Sequence, residues 1–166
     1  MENTLWKIFE NVNSWLKYAE SKNAYMLTFI GVQFTALKFF NVQSNGWLIL
    51  CLISLAVCFI MCAFSFFPKT VISKKIYYIA QSHEKPADTD NLLFYGHIVK
   101  YSTNLYIEKM EKRLNGQIIG NKYLEDLCAQ IVINSGIADP KYTLFKISFW
   151  FMLIGQLFLV ISLMRF

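Results

Sequence analysis

The sequence predicts an all-α membrane protein with three transmembrane helices, an amphipathic N-terminal helix and a small helical cytoplasmic head. Three observations carry that prediction. Of 166 residues, 55% are hydrophobic and only 16% charged, well below the roughly one quarter charged in soluble domains. Three apolar runs approach the length needed to cross the hydrocarbon layer, about 30 Å at about 1.5 Å per helical residue. All but two of the 16 Lys and Arg residues fall on one side of those runs. This composition excludes a disordered chain, a collagen-like repeat and a free nucleic-acid-binding domain, so no nucleic acid partner is expected. The net charge of +5 reads as topology information rather than as a nucleic-acid footprint.

Residues 1–23 form the first region. Leu5, Ile8, Phe9, Val12, Trp15, Leu16 and Ala19 recur at helical spacing, with Lys7, Glu10, Lys17 and Glu20 on the back. The stretch has no net charge, since Lys7, Lys17 and Lys22 balance Glu2, Glu10 and Glu20. Attraction to anionic lipid is therefore weak. That favours docking on protein over lying on lipid as an interfacial helix.

Residues 24–67 read as a transmembrane hairpin. Its first span, 24–42, is uncharged up to Lys38, whose long side chain reaches the interface. A short polar connector from Asn41 to Gly46 makes the turn. The second span, 47–67, carries no charge and ends at Pro68 and Lys69. Residues 68–142 make the cytoplasmic region. Within it Ser73–Gln81 is helix or strand, and His83–Asp90 a charged loop. Asp90 is the expected N-cap of a helix over Asn91–Leu114, which Asn115-Gly116-Gln117 stops. A further helix runs from Asn121 to Ala138 and breaks at Asp139-Pro140. A head this small needs support from the N-terminal helix, the membrane or another protomer. Residues 143–166 hold the third span, apolar from Ile147 to Met164. With three spans the basic majority faces the cytoplasm. The N-terminus is then inside and the C-terminus outside.

Catalytic signatures are missing: no nucleophile elbow, Walker loop or dinucleotide-binding glycine pattern occurs. His83 and His97 stand apart from one another and from the cysteines. Cys51, Cys58, Cys62 and Cys128 form no CxxC pair, so neither a disulfide framework nor a metal site is expected. The protein reads as no enzyme, with no cofactor. Polar groups inside the spans, Gln33, Thr35 and Gln156 foremost, form a seam that either lines a pore or bonds helix to helix in a static anchor. Two polar clusters approach the membrane from the cytoplasmic side. Lys17, Glu20, Lys22 and Asn23 precede the first span; Asn134, Ser135, Lys141 and Tyr142 precede the third. Lysines for phosphate, amides for a base edge and a tyrosine face for stacking suit an anionic nucleotide. Surface ion pairing, as between Lys17 and Glu20, is the plainer alternative.

WLKYAESKNAYMLTF (Trp15–Phe29) resembles the Pycsar transmembrane effector family at its first span. QIVINSGIADPKYTLFKISFW (Gln130–Trp150) resembles its entry into the last span, and NLLFYGHIVKYS (Asn91–Ser102) falls at its middle cytoplasmic helix. The order of helices agrees over nearly the whole chain. Ala19, Glu20, Lys22, Asn23, Asn134, Ser135, Ile137, Ala138, Lys141 and Tyr142 are the motif residues. The Asp139-Pro140 break departs from the pattern. The resemblance implies antiphage defence. A partner nucleotide cyclase makes a cyclic nucleotide, a cyclic pyrimidine mononucleotide for this family, on infection. The effector senses it as a homo-oligomer in the lipid bilayer and disrupts the inner membrane, an abortive infection. The rival expectations are a non-catalytic scaffold or partner-binding subunit, and a holin-like pore-forming toxin.

Overall fold

A computed structural model describes residues 2–40, 44–67, 84–116 and 118–164. Every regular element among them is helical: α1 (Glu2–Phe39), α2 (Gly46–Phe66), α3 (Tyr95–Ile98), α4 (Thr103–Arg113) and α5 (Lys122–Met164). The expected alternatives for Ser73–Gln81, and His83, lie outside the described residues.

Glu2–Phe39 is one helix, where the sequence suggested a separate amphipathic helix and span. No Gly or Pro interrupts the chain between Tyr18 and Ile30, and Ala19, Glu20, Lys22, Ala24, Met26 and Leu27 are strong helix formers. The helix buries one stripe: Leu5, Ile8, Val12, Ala19, Asn23, Met26, Ile30 and Gln33. The steps alternate three and four residues, with two fours in succession between Trp15 and Asn23, so the same face stays covered along its length.

The described residues fall into two compact units, one drawn from 1–19 and 74–141, the other from 20–73 and 142–166. In the first, Leu5, Ile8 and Val12 are buried, as are Leu92, Ile98, Tyr106, Met110, Ile118 and Ile131. Trp15 meets Tyr95 with ring centroids 5.7 Å apart and Phe94 edge-on at 6.2 Å. The Asn11 side-chain amide donates to the Leu93 carbonyl at 3.3 Å, and the Tyr106 hydroxyl to the Leu92 carbonyl at 3.0 Å.

The expected helix over Asn91–Leu114 is two helices, α3 and α4. Gly96 lies inside α3, where a Cβ would stand 2.7 Å from the Phe94 ring. The interruption follows α3, and the Ser102 hydroxyl ends it by accepting the Leu105 N–H at 3.4 Å as an N-cap. Asp90 does not cap a helix over its own successors. Its Oδ2 accepts the Ala87 N–H at 2.8 Å and lies 3.2 Å from the Tyr101 hydroxyl. Its Oδ1 accepts from Lys100 Nζ at 3.1 Å. Lys100 also reaches Glu84 at 2.8 Å. The His97 Nδ1 accepts the Asn91 N–H at 2.8 Å, so this nitrogen carries no proton to share with Asp90, 3.8 Å away. The helix α4 ends where Asn115 (φ 57°) and Gly116 (φ 76°) turn left-handed, as the Asn-Gly pair indicated. Glu111 Oε2 then accepts the Ile118 and Ile119 N–H groups, and Asn121 Oδ1 opens α5 by accepting from Leu124 N–H at 3.4 Å.

The helix α5 continues through Pro140 instead of breaking there. A proline inside a helix costs about 3 kcal/mol through its missing donor and its clash with the carbonyl four residues back. That residue is Gly136, around which a Cβ would find open space. Burial of Ile131, Ser135, Ala138, Pro140 and Leu144 offsets the cost.

The second unit buries Met26, Ile30, Cys51, Leu55, Cys58 and Cys62 against Phe145, Phe151, Met152 and Phe158. The buried face of α2 is built from small residues, Cys51, Ser54, Cys58, Cys62 and Ser65 among them, and all four cysteines are buried free thiols. Small residues let helix backbones approach. At Gly155 of α5, a Cβ would already touch Leu55 at 3.4 Å and Ser54 at 3.5 Å. Asn45 caps α2 by accepting the Leu48 N–H at 2.9 Å. Two helices, Gly46–Phe66 and Lys122–Met164, are long and apolar enough to cross a membrane. Only 39% and 17% of their most apolar windows are buried within the protein. Ile49, Ile53, Phe59, Trp150, Leu157 and Val160 point outward instead. A core helix of a soluble protein hides most of its surface; these do not.

Two outcomes follow from this packing. Gly155→Ala leaves stability nearly intact, whereas Gly155→Leu overpacks the α2–α5 contact by about 1–3 kcal/mol; thermal unfolding in detergent reads both. The Ala87 N–H above all, with Lys100 and Tyr101, holds the Asp90 carboxyl below the usual carboxylate range, against the opposing effect of burial. The resulting stability is present above the unfolded value near pH ~4 and is lost as pH falls through the lower folded value. Asp90→Asn is therefore less stable than the parent at pH 7, and melting curves from pH 7 to pH 3 show the gap closing in acid.

Candidate functional site

Inside the second unit, polar side chains are few and turned toward helices. The Gln156 side-chain amide donates to Gln33 Oε1 at 2.7 Å, which brings two of the three seam residues together. Gln33 is 9% exposed. A cavity of about 270 Å³ opens beside it, lined otherwise by Ala36, Leu37, Phe40, Leu159 and Leu163. Thr35 stands apart: its hydroxyl donates back to the Gly31 carbonyl at 3.0 Å, as Thr28 does to Ala24. Ser54 donates to the Phe151 carbonyl at 2.6 Å, and Ser148 to Leu144 at 2.8 Å. Asn45 donates to the Ser162 carbonyl at 3.4 Å and accepts from the Ser162 hydroxyl at 3.0 Å. Of the three seam residues, Gln33 and Gln156 bond helix to helix, while Thr35 bonds within its own helix.

The eight nucleotide-site candidates divide between the units. Lys17, Asn134, Ser135 and Lys141 belong to the first; Glu20, Lys22, Asn23 and Tyr142 belong to the second. In the first, Asn134 donates to Asn13 Oδ1 at 2.7 Å, tying α5 to α1. Ser135 is buried and donates to the Ile131 carbonyl at 2.8 Å. Lys141 is buried, whereas Lys17 is exposed. In the second, Lys22 Nζ lies over the Tyr142 and Phe145 rings, 5.5 and 5.3 Å from their centroids, a cation–π arrangement. Asn23 is fully buried and Glu20 half-buried.

Sequence reasoning missed Asn13, Asn45 and Ser54. Asn13 carries no signal of its own in the sequence, and only its partner Asn134 distinguishes it. Asn45 had a readable signal, a lone Asn just before an apolar run, which is an N-cap position. Among the described residues no group of three His, Cys, Asp or Glu side chains could hold a metal ion.

Long apolar helices with outward-facing surface, and polar groups held between them, define the class: a helical membrane protein. A family model described as the Pycsar effector protein domain matches residues 4–166. The Pycsar effector protein RsPycTM of a Rhizobium species is 31% identical over 137 residues, spanning 78% of this chain and 75% of the relative. The chain belongs to the Pycsar effector family. No solved structure matches it.

The amide pair generates a test. Gln33→Leu strands the Gln156 amide in an apolar setting and lowers stability by roughly 0.5–2 kcal/mol. The double variant Gln33→Leu/Gln156→Leu removes both partners and recovers part of that loss. Unfolding of the single and double variants in one detergent checks the cycle.

Proposed function

We propose that this protein is an antiphage effector that senses a cyclic nucleotide on its cytoplasmic side and disrupts the inner membrane, so that the infected cell stops growing. Membership of the Pycsar effector family supports the defence role. The observation that carries the membrane role is the outward apolar surface of α2 and α5.

Three spans complete the reading. Ala24–Phe39 of α1 exposes Tyr25, Phe29, Val32 and Phe39 while burying Met26, Ile30 and Gln33. Thr28, Gln33 and Thr35 lower its hydropathy but not its ability to face lipid, because the threonine hydroxyls bond within the helix. Fourteen of the 16 Lys and Arg residues then lie inside, with Lys38 and Arg165 outside. Three helices cannot enclose an aqueous path, so a homo-oligomer forms the lesion. The pairing of Gln33 with Gln156 supplies polar groups that exchange partners when the helices rearrange. The ligand shifts the assembly only through unequal affinity for the intact and leaking states. A cyclic pyrimidine mononucleotide, made by a partner cyclase, is the ligand this family membership favours.

The test is entry of a membrane-impermeant dye into cells expressing the protein with and without a nucleotide cyclase. Dye enters only when both are present. Immediate entry on expression alone would instead identify a holin-like toxin. Intact membranes with every cyclase tried would identify a scaffold or partner-binding subunit.

A further inference from the structure

Asn11, Ser14, Trp15 and Tyr18 stand on one face of α1, spaced i, i+3, i+4 and i+7, and line a cleft of about 330 Å³. The four residues span about 10 Å of helix. Both figures suit one nucleotide, since small-ligand pockets begin near ~300 Å³.

The groups in the cleft have fixed roles. Trp15 is half-buried and clamped from behind by the Phe94 and Tyr95 rings, so its plane is set before any ligand arrives. Tyr18, one turn further on, leaves 55% of its surface open. Asn11 spends one side-chain N–H on the Leu93 carbonyl, which holds the amide in place and leaves its Oδ1 and second N–H for a base edge. The Ser14 hydroxyl donates to the Asn11 carbonyl at 2.7 Å, so its oxygen faces a ligand as an acceptor. Lys7 lies one turn before Asn11 on the same face and is exposed. The nearby Glu10 carboxylate, which would repel an anion, accepts the Trp6 indole N–H at 2.9 Å. Two aromatic rings, an oriented amide, a hydroxyl acceptor and a flanking cation are the chemistry that recognises a nucleobase joined to a phosphate.

We propose that this cleft holds the base of the cyclic nucleotide, with Trp15 and Tyr18 as stacking surfaces, Asn11 and Ser14 on the base edge and Lys7 toward the phosphate. It rests on the reading of the protein as a nucleotide sensor. The contacts differ from those the sequence favoured: Ser135, Asn23 and Lys141 are buried, whereas this face is open to solvent.

Titration calorimetry on the full-length protein in detergent tests it. The probes are the four cyclic 3′,5′-mononucleotides and a base-free cyclic ribose phosphate. The parent binds a nucleotide and does not bind the base-free analogue. Ser14→Trp, which fills the cleft from an exposed position, and Tyr18→Ala each weaken binding by about tenfold or more, the loss expected for one stacking contact. Both retain the parent's melting temperature. Lys7→Gln weakens binding and reduces its dependence on salt. If the parent binds and both cleft variants bind within twofold of it, the cleft is overturned while the sensor reading stands. If the base-free analogue binds as tightly as a nucleotide, the stacking assignment falls. If the parent binds none of the probes, the sensor reading fails and the cleft with it.

Discussion

A peptide N–H or carbonyl inside hydrocarbon has no water to bond to, so a chain that enters lipid must satisfy its backbone from within. That requirement explains why the longest elements here are uninterrupted. The helix α2 runs from Gly46 to Phe66, and α5 runs on to Met164, each without a break through its apolar stretch. It also explains the conduct of the hydroxyl side chains. Thr28, Thr35 and Ser148 each donate to a carbonyl four residues back in their own helix. Ser54 instead donates across to Phe151, one turn before Gly155, where α2 packs against α5. Polar atoms are thereby admitted to an apolar unit with hydrogen-bond partners of their own.

The two compact units use different forces. The second is held by small-residue packing and a handful of interhelical hydrogen bonds, since lipid-facing side chains gain nothing from burial against one another. The first has a conventional apolar core and a charged staple around Asp90. There the carboxylate gathers a backbone N–H, a lysine and a tyrosine hydroxyl, while Arg113 donates to its carbonyl oxygen at 3.2 Å. Asp90 is 4% exposed, and a carboxylate so enclosed requires that set of partners. Its removal is felt in the 84–92 loop and at Lys100 and Tyr101 together.

Elements with a strong local signal were legible in the sequence. The charge-free run after Asn45 is α2 within a residue or so of its expected ends, and Asn115-Gly116 stops α4 by the left-handed turn such pairs favour. The misreadings have a shared cause: local rules gave way to packing. Pro140 looked like a terminus because isolated helices stop at proline, but here buried neighbours on both sides carry the helix through it. Asp90 looked like an N-cap because Asp before an apolar run usually is one, yet its carboxylate serves Ala87 behind it. The break between α3 and α4 falls at Val99–Ser102, a stretch that hydrophobic spacing alone carries on as helix. The seam was half legible: Gln33 and Gln156 stood out as amides in apolar runs, but helical spacing alone could not pair them, and Thr35, on an exposed face, does not join. The aromatic cleft on α1 was hidden for another reason. Trp15 reads as part of the apolar face and Tyr18 as incidental, and only the position of Phe94 and Tyr95 behind Trp15 turns them into a surface.

Asn45 engages two partners at once, the first turn of α2 and both polar atoms of Ser162 near the end of α5. Such a double latch at one end of a helix pair opposes a piston stroke. Sliding α5 along α2 by one helical turn, about 5.4 Å, would pull a 3.0 Å contact out of bonding range. The freedoms left to the pair are swivelling and splaying about that pinned end. Whatever displacement such a pair transmits is then greatest at its opposite end and smallest beside the latch, as in a pair of tongs.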